Sequence, residues 1–341
     1  VIEVDAYTIP TIAPESDGTA EWDSTTLVTV QIEEGFGYTY ADVSTALFIK
    51  KHFADLQFDP MSPEAAWAQM IYKVRNLGRR GVAAMAISAI DAALWDLKCK
   101  RLGVPLVTLL GQVRESVPVY NSGGFTSMSI DELQSAFAGW KRVKMKVGRD
   151  WRADRERVSA VREAIGPDAE LFVDANGAYT RKLALWQAEV FAEDGVTWFE
   201  EPVSSDDLEG LRFIRERTPI EIAAGEYGYE LQYFDEMIGS VDVLQADATR
   251  CTGITGFIKT SAICEARSMP LSSHCAPSLH AHLGCALLPV RHLEYFFDHV
   301  RIESMLFDGF IEARDGVVRP DLSRPGLGVE FKKKDAERLR A

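Results

Sequence analysis

From Lys146 onward, short apolar runs in this chain end again and again in a charged or polar side chain, at nearly even spacing. Lys146 closes RVKMK, Asp174 with Asn176 follows LFV, Glu200 follows VTWF, and Glu226 follows IEIAAG. Asp247 follows VDVLQA, His274 follows MPLSS and Glu294 follows PVRHL. The successive separations of 28, 26, 26, 21, 27 and 20 residues each accommodate one strand, one helix and two loops. The stretches between, DRERVSAVREAIG, RKLALWQAEVFAEDG, LEGLRFIRERT and ITGFIKTSAICEARS, read as helices. Such alternation, with reactive side chains where each strand ends, predicts an α/β fold: a (β/α) TIM-type barrel with its site at the C-terminal face. A doubly wound open sheet is the competitor, but it does not bring seven consecutive strand ends around one centre.

In the first of these strands, Lys144 and Lys146 are two apart and flanked by Val143, Met145 and Val147. On a strand the lysines share one face and the apolar residues take the other. Repulsion between the ammonium groups, together with partial burial, is expected to lower a lysine pKa toward the range of a base. Taken alone, the pair reads first as a surface strand with two solvated lysines, and the residues that follow reverse that reading.

Asp174, Glu200 and Glu226 come from three successive strands, with no cysteine or histidine among them. Oxygen-only ligation suits a hard divalent cation, Mg²⁺ first. Each has a plainer reading by itself: DANG is a good turn, Glu200-Glu201-Pro202 a helix entrance, and Glu226 a surface acid. Three in register, with a lysine pair before and a histidine after, favour the metal. His274 has Asp247 at the end of the preceding strand, where a carboxylate fixes the imidazole tautomer and raises its basicity. Lys146 and His274, from the second and seventh strands, would face each other across the metal, an arrangement for moving protons at the α-carbon of a carboxylate. Glu294, if protonated, would donate a hydrogen bond to the same carboxylate oxygens. Cys275 beside His274 suggests a thiol nucleophile, but strand neighbours point to opposite faces. His52, His280, His282, His292 and His299 read as structural.

A formal charge of −14 argues against nucleic acid or an anionic membrane as partner. The longest apolar stretch, Gly81 to Leu94, is interrupted by Asp91 and too short to span a bilayer. Five cysteines without C-x-x-C pairing point to reduced thiols and a cytoplasmic setting. The 341 residues suit a barrel of about 250 residues plus a smaller unit.

That smaller unit lies at the front. Val1 to Ile9, Leu27 to Ile32 and Tyr38 to Tyr40 read as strands of an antiparallel sheet, and Pro63 to Asn76 and Val82 to Lys100 as helices. PTIAPESDGTAEWDS between the first two strands reads as a long loop, a lid in position. The expected division is an α+β capping domain over 1–113, a barrel over 114–297, and a 298–341 segment packing back on the cap.

With these motifs in place, VKMKVG, VDANG, FEEP, AAGE, QADATR, SSHCAP and HLEYF, together with AISAIDAALWDLKCKRLGVPLVTLLG and PGLGVEF, the chain resembles the enolase superfamily in its mandelate racemase-like subgroup. A Lys or His base working with Mg²⁺ is that superfamily's own pattern. The resemblance implies that Asp174, Glu200 and Glu226 hold Mg²⁺, that Lys146 is one acid/base and the His274-Asp247 dyad the other, and that Lys144, Asn176 and Glu294 contact the substrate or its enolate. It also implies that the Pro10 to Ser24 loop and the segment near Tyr38 to Tyr40 close over the pocket. Arg250 stands where lysine is common, and is expected to touch the substrate. A homo-oligomer is expected.

The shared first step is proton abstraction α to a carboxylate. Dehydration of a sugar acid is the favoured outcome, because Glu15, Ser16, Asp17, Thr19 and Glu21 make the lid polar, and Asn121, Ser122 and Arg250 add groups able to bond hydroxyls. Racemisation or epimerisation of a 2-hydroxy acid is the alternative, and a barrel that binds a sugar acid without turning it over is a third reading.

Overall fold

The computed structural model describes residues 1–341. Three strands open the chain, β1 (Ile2–Ser16), β2 (Glu21–Ile32) and β3 (Gly35–Tyr40), in an antiparallel sheet of order β1-β2-β3. Three helices follow, α1 (Ser44–His52), α2 (Pro63–Lys73) and α3 (Val82–Leu102). This is the α+β cap.

The segment read as a long loop, Pro10 to Ser24, is instead the far half of a β-hairpin. Pro10 pairs with Ser24, Glu15 with Trp22 and Ser16 with Glu21, and only Asp17 to Ala20 form the turn. Pro10 and Pro14 obscured this. β1 is an edge strand, where a residue without an N–H is tolerated as at Pro10, and Pro14 falls inside the register shift between Pro10 and Glu15, outside the ladder. The Asp17 carboxylate then closes the turn by accepting from the backbone N–H groups of Thr19 (2.6 Å) and Ala20 (2.7 Å).

α3 is buried on nearly every side because β3 lies directly against it. The approach depends on Gly37, where a Cβ would sit 2.1 Å from the Ala89 carbonyl oxygen. Asp91, which interrupts the apolar run, is buried and satisfied by the Thr255 N–H (2.9 Å) and hydroxyl (2.7 Å), tying α3 to the barrel wall. Gly103, left-handed at φ 68°, ends the helix.

Eight parallel strands then alternate with helices: β4 (Val117–Gly124), β5 (Arg142–Lys146), β6 (Glu170–Asp174), β7 (Val196–Glu200), β8 (Glu221–Ala224), β9 (Val243–Ala246), β10 (Leu271–Ser273) and β11 (Val290–Phe296). Pairing of β11 with β4 closes the barrel. The strand interiors carry Tyr120, Phe172, Trp198, Ala223 and Val243 as an apolar plug, and the polar residues sit above it at the C-terminal mouth. Helix Phe297–Leu306 and the chain beyond it touch both units. Phe331 stacks on Phe36, Arg340 pairs with Asp5, and Val317–Val318 pairs with β4.

All five cysteines are buried and unpaired. No helix is long and apolar enough to cross a membrane.

Candidate active site

Register builds the centre of the site. Lys146 on β5 pairs in the ladder with Asp174 on β6, and Asp174 with Glu200 on β7, so three charged side chains leave adjacent strands at one level. Glu226 follows just beyond β8. Gly225 positions it at φ 138°, where a Cβ would sit 2.0 Å from the Gln245 carbonyl oxygen. Asp174, Glu200 and Glu226 are all buried, and one carboxylate oxygen from each lies within 4.8 Å of the others.

Three buried carboxylates call for positive charge. Lys144 supplies part of it, 2.7 Å from both Glu200 oxygens and 2.9 Å from Glu294, and Lys146 ion-pairs with Asp174. Burial and the charge of Asp174 push the Glu200 carboxyl up to about 8, against the pull of Lys144. The expected lowering of the lysine pKa does not occur. Burial acts in that direction on Lys146 and is the largest single influence, but Asp174, Glu226 and Glu200 together outweigh it and the repulsion from Lys144, and hold the ammonium form. The same contest, with Glu200 and Glu294 prevailing, raises Lys144. Sequence alone counted the two amines and missed that the partners reach them first.

Lys144, expected against the substrate, sits on the carboxylates of Glu200 and Glu294. It is fully buried over the Tyr120 ring, 5.2 Å from the centroid, and does not line the cavity. Its ion pairs fix Glu200 and Glu294 instead.

On the other side, His274 Nδ1 lies 2.8 Å from Asp247, and its Nε2 lies 3.2 Å from Glu226. Asp247 also accepts the Thr249 N–H at 2.7 Å, and despite burial its bond to His274 and the charge of that ring hold it well below the usual carboxylate range. Burial and the charge of Arg250 lower the His274 pKa, but Glu226, Asp247 and Glu294 together outweigh them and raise the ring above its ordinary value.

Glu294 is an acceptor, not the donor expected of a protonated acid. It takes bonds from the Ser122 hydroxyl (2.7 Å) and the Cys275 N–H (3.0 Å) and faces Lys144, so its pKa falls well below normal although burial opposes this. Cys275 does face the site. β10 ends at Ser273, and Cys275 at φ 52° turns its thiol to 3.2 Å from His274 Nε2, so strand alternation no longer applies. Burial and Glu294 push that thiol far up, which keeps it protonated and rules against a nucleophile.

These groups open onto a cavity of about 330 Å³ between barrel and cap. Lys146, Asn176, Glu226, Arg250, His274 and Glu294 line it from the barrel, and Asp17, Trp22, Tyr40 and Asp42 from the cap. Asn176 is held at φ 46° with its N–H on Asp174 (2.8 Å), and its side-chain oxygen is buried without a partner. Arg250 lines the wall between Glu226 (3.9 Å) and Asp247 (3.8 Å). Asn121 does not, because its amide donates to the Ala136 carbonyl oxygen on the outside of β4. Of the five polar residues assigned to the lid, only Asp17 lines the cavity, and Tyr38 is buried on Glu303.

Sequence reasoning missed His299. It lines the cavity, stacks on Tyr40 and accepts the Ala276 N–H at 3.3 Å. It lies past the last barrel strand, so no rhythm marked it. The histidines at 280, 282 and 292 are interior hydrogen bonders, as expected.

The donor set fits a hard cation on the chemistry of this structure. The triad offers oxygens only, converging and buried, with excess negative charge that two lysines are drawn in to offset. Residues 6–111 match the mandelate racemase / muconate lactonizing enzyme N-terminal domain, and residues 129–336 the enolase C-terminal domain-like family. A mandelate racemase/muconate lactonizing enzyme-like protein from Rubrobacter xylanophilus is 51% identical and superposes with a TM-score of 0.97 over 100% of this chain and 99% of that one. The 3,6-anhydro-alpha-L-galactonate cycloisomerase of Streptomyces coelicolor is 35% identical over 99% of this chain and 97% of that protein. The L-talarate/galactarate dehydratase of Salmonella typhimurium is 34% identical over 83% of this chain and 74% of that protein. Its crystal structure, liganded with Mg and L-lyxarohydroxamate, superposes with a TM-score of 0.90 over 100% of this chain and 92% of that one, at 30% identity. The chain belongs to the mandelate racemase/muconate lactonizing enzyme family of the enolase superfamily.

Proposed function

We propose that this protein is a Mg²⁺-dependent sugar acid dehydratase. It removes the proton α to the substrate carboxylate and expels the β-hydroxyl as water, leaving an enol that becomes a 2-keto-3-deoxy acid. The observation that carries this reading is that Lys146 and His274 line one cavity from the second and seventh strands, with Glu226 of the carboxylate triad beside the imidazole.

Asp174, Glu200 and Glu226 would hold Mg²⁺. When bound, the cation supplies the positive charge that stabilises the deprotonated carboxylate substrate and offsets the hold of Asp174 on Lys146. Lys146 Nζ or His274 Nε2 takes the α-proton. Asp247 fixes the His274 ring with its proton on Nδ1, leaving Nε2 toward the cavity, and the raised basicity of the ring suits it to carry a proton to the departing hydroxyl. Lys144 locks Glu200 and Glu294 from beneath, and Asn176 and Arg250 offer contacts to substrate oxygens. The buried, unpaired thiols agree with a cytoplasmic setting.

The test is incubation with Mg²⁺ and a panel of sugar acids, scored for 2-keto product and for α-proton exchange in D₂O. Keto product lost on Lys146→Ala or His274→Ala supports the reading. Exchange with inversion and no keto product would instead establish the racemase or epimerase alternative, for which two proton carriers on one cavity are equally apt.

A further inference from the structure

The cavity has two chemically different halves. The barrel half carries the triad member Glu226, the proton carriers and Arg250. The cap half is lined by Asp17, Ser24, Thr25, Thr26 and Asp42 beside the aromatic rings, and has no lysine or arginine.

Neighbouring cations are committed elsewhere. Arg149 pairs with Glu21, while Arg301 pairs with Asp298 (2.6 Å) and donates to the Pro10 carbonyl oxygen (2.9 Å), and neither lines the cavity. Arg250 belongs to the barrel half, where it lies between Glu226 and Asp247 and donates to the Glu226 carbonyl oxygen at 3.3 Å. The cap carboxylates are fixed in place. Asp17 closes the hairpin turn, and Asp42 accepts the Ser44 N–H at 2.8 Å, bonds that hold Asp42 in its ionised form.

We propose that the cap half is a subsite for an uncharged, hydroxylated tail, so that the substrates are monocarboxylic sugar acids of the aldonic type and not dicarboxylic aldaric acids. This rests on the sugar acid reading above. With the reacting carboxylate directed to the barrel end, where Lys146 and Arg250 line the wall and the triad would hold Mg²⁺, the tail points at the cap. Hydroxyl groups there can donate to Asp17 and Asp42 and to the oxygens of Ser24, Thr25 and Thr26, whose own hydroxyls are engaged with Asp23, Asp298 and Thr8. A second carboxylate would meet two like charges with no counter-ion, which is discrimination by repulsion.

The experiment compares aldonic and aldaric acids of matched configuration, such as gluconate with glucarate and galactonate with galactarate, on the full chain with Mg²⁺. The expected result is a kcat/KM for the preferred aldonate at least about 100-fold above that of its aldarate. In Asp42→Asn, and in Asp17→Asn with Asp42→Asn, the aldarate-to-aldonate ratio should rise about tenfold, since each removed charge lifts part of the repulsion. Asparagine keeps the acceptor oxygen that each turn uses, and Asp42 is exposed, so these variants should fold. Equal or better turnover of the aldarate, or a ratio unmoved by both variants, overturns the inference while leaving the dehydratase reading intact. No keto product and no α-proton exchange with any sugar acid overturns both.

Discussion

The Asp247 carboxylate accepts a hydrogen bond from His274 Nδ1 at 2.8 Å, while Nε2 of the same ring turns to the cavity. Because a carboxylate can only accept, this contact fixes which nitrogen is free to exchange protons. In Asp247→Asn the amide can donate instead, and the tautomer is no longer set. The expected loss in kcat is about 10²–10⁴-fold. Asp247 helps raise the His274 pKa, so the pH limb governed by that ring should move to lower pH in the variant. A pH–rate profile checks both.

Lys146→Ala should lower kcat by about 10²–10⁴-fold, the usual worth of a positioned acid or base. Mg²⁺ binding, followed by calorimetry, should persist in this variant. Loss of metal binding in parallel with activity would mean that Lys146 acts through the triad and not on the substrate.

Removal of the metal gives a readout independent of turnover. A ligand at 100 times its dissociation constant stabilises the folded state by about 2.7 kcal/mol. Saturating Mg²⁺ should therefore raise Tm, EDTA should reverse the rise, and Asp174→Asn or Glu226→Gln should abolish it. An unchanged Tm in wild type would argue against the triad as a cation site.

Gly225→Ala is expected to damage the site without touching a charged group. The added Cβ would meet the Gln245 carbonyl oxygen at 2.0 Å, and the φ of 138° is strained for any L side chain. Glu226 must shift as a result. Stability should fall by about 1–3 kcal/mol, and Mg²⁺ affinity should fall with it, as thermal melts with and without the ion would reveal.

Glu15 makes the hairpin pH-sensitive. Burial, with Asp298 adding to it, pushes its carboxyl up to about 7, while Trp22 Nε1 donates to it at 2.9 Å. An acid whose folded pKa lies above its unfolded value holds more protons when folded, so the hairpin's contribution to stability falls as pH climbs from about 4.5 to about 7 and then levels off. Amide exchange in residues 10–24, corrected for intrinsic rates, should report easier opening above pH 7. Glu15→Gln keeps an acceptor for Trp22 and should remove the pH dependence.

Much of the site was legible because strand ends recur. Asp174, Glu200, Glu226, Asp247, His274 and Glu294 needed only the period of one strand and one helix to be placed on a common rim. What that period does not encode is what lies beside each group in space. Lys144 and Lys146 looked like a repelling pair, yet Glu200, Glu294 and Asp174 neutralise them. Asn121 looked available, yet it bonds Ala136 outside the barrel. Residues 10–24 looked like a loop because two prolines mask a hairpin, Pro10 sitting on its edge strand and Pro14 in its bulge.

The order of apolar runs and polar ends along this chain determined the barrel, the cap and the rim of candidate residues, because strand and helix periods are local properties of the backbone. Tertiary structure alone decided protonation, orientation and access: that Glu294 accepts, that Cys275 turns inward after β10, that His299 reaches the cavity, and that the cap half bears acid without base. Those outcomes depend on burial and on charges brought together from distant parts of the chain, and no spacing along the sequence records them.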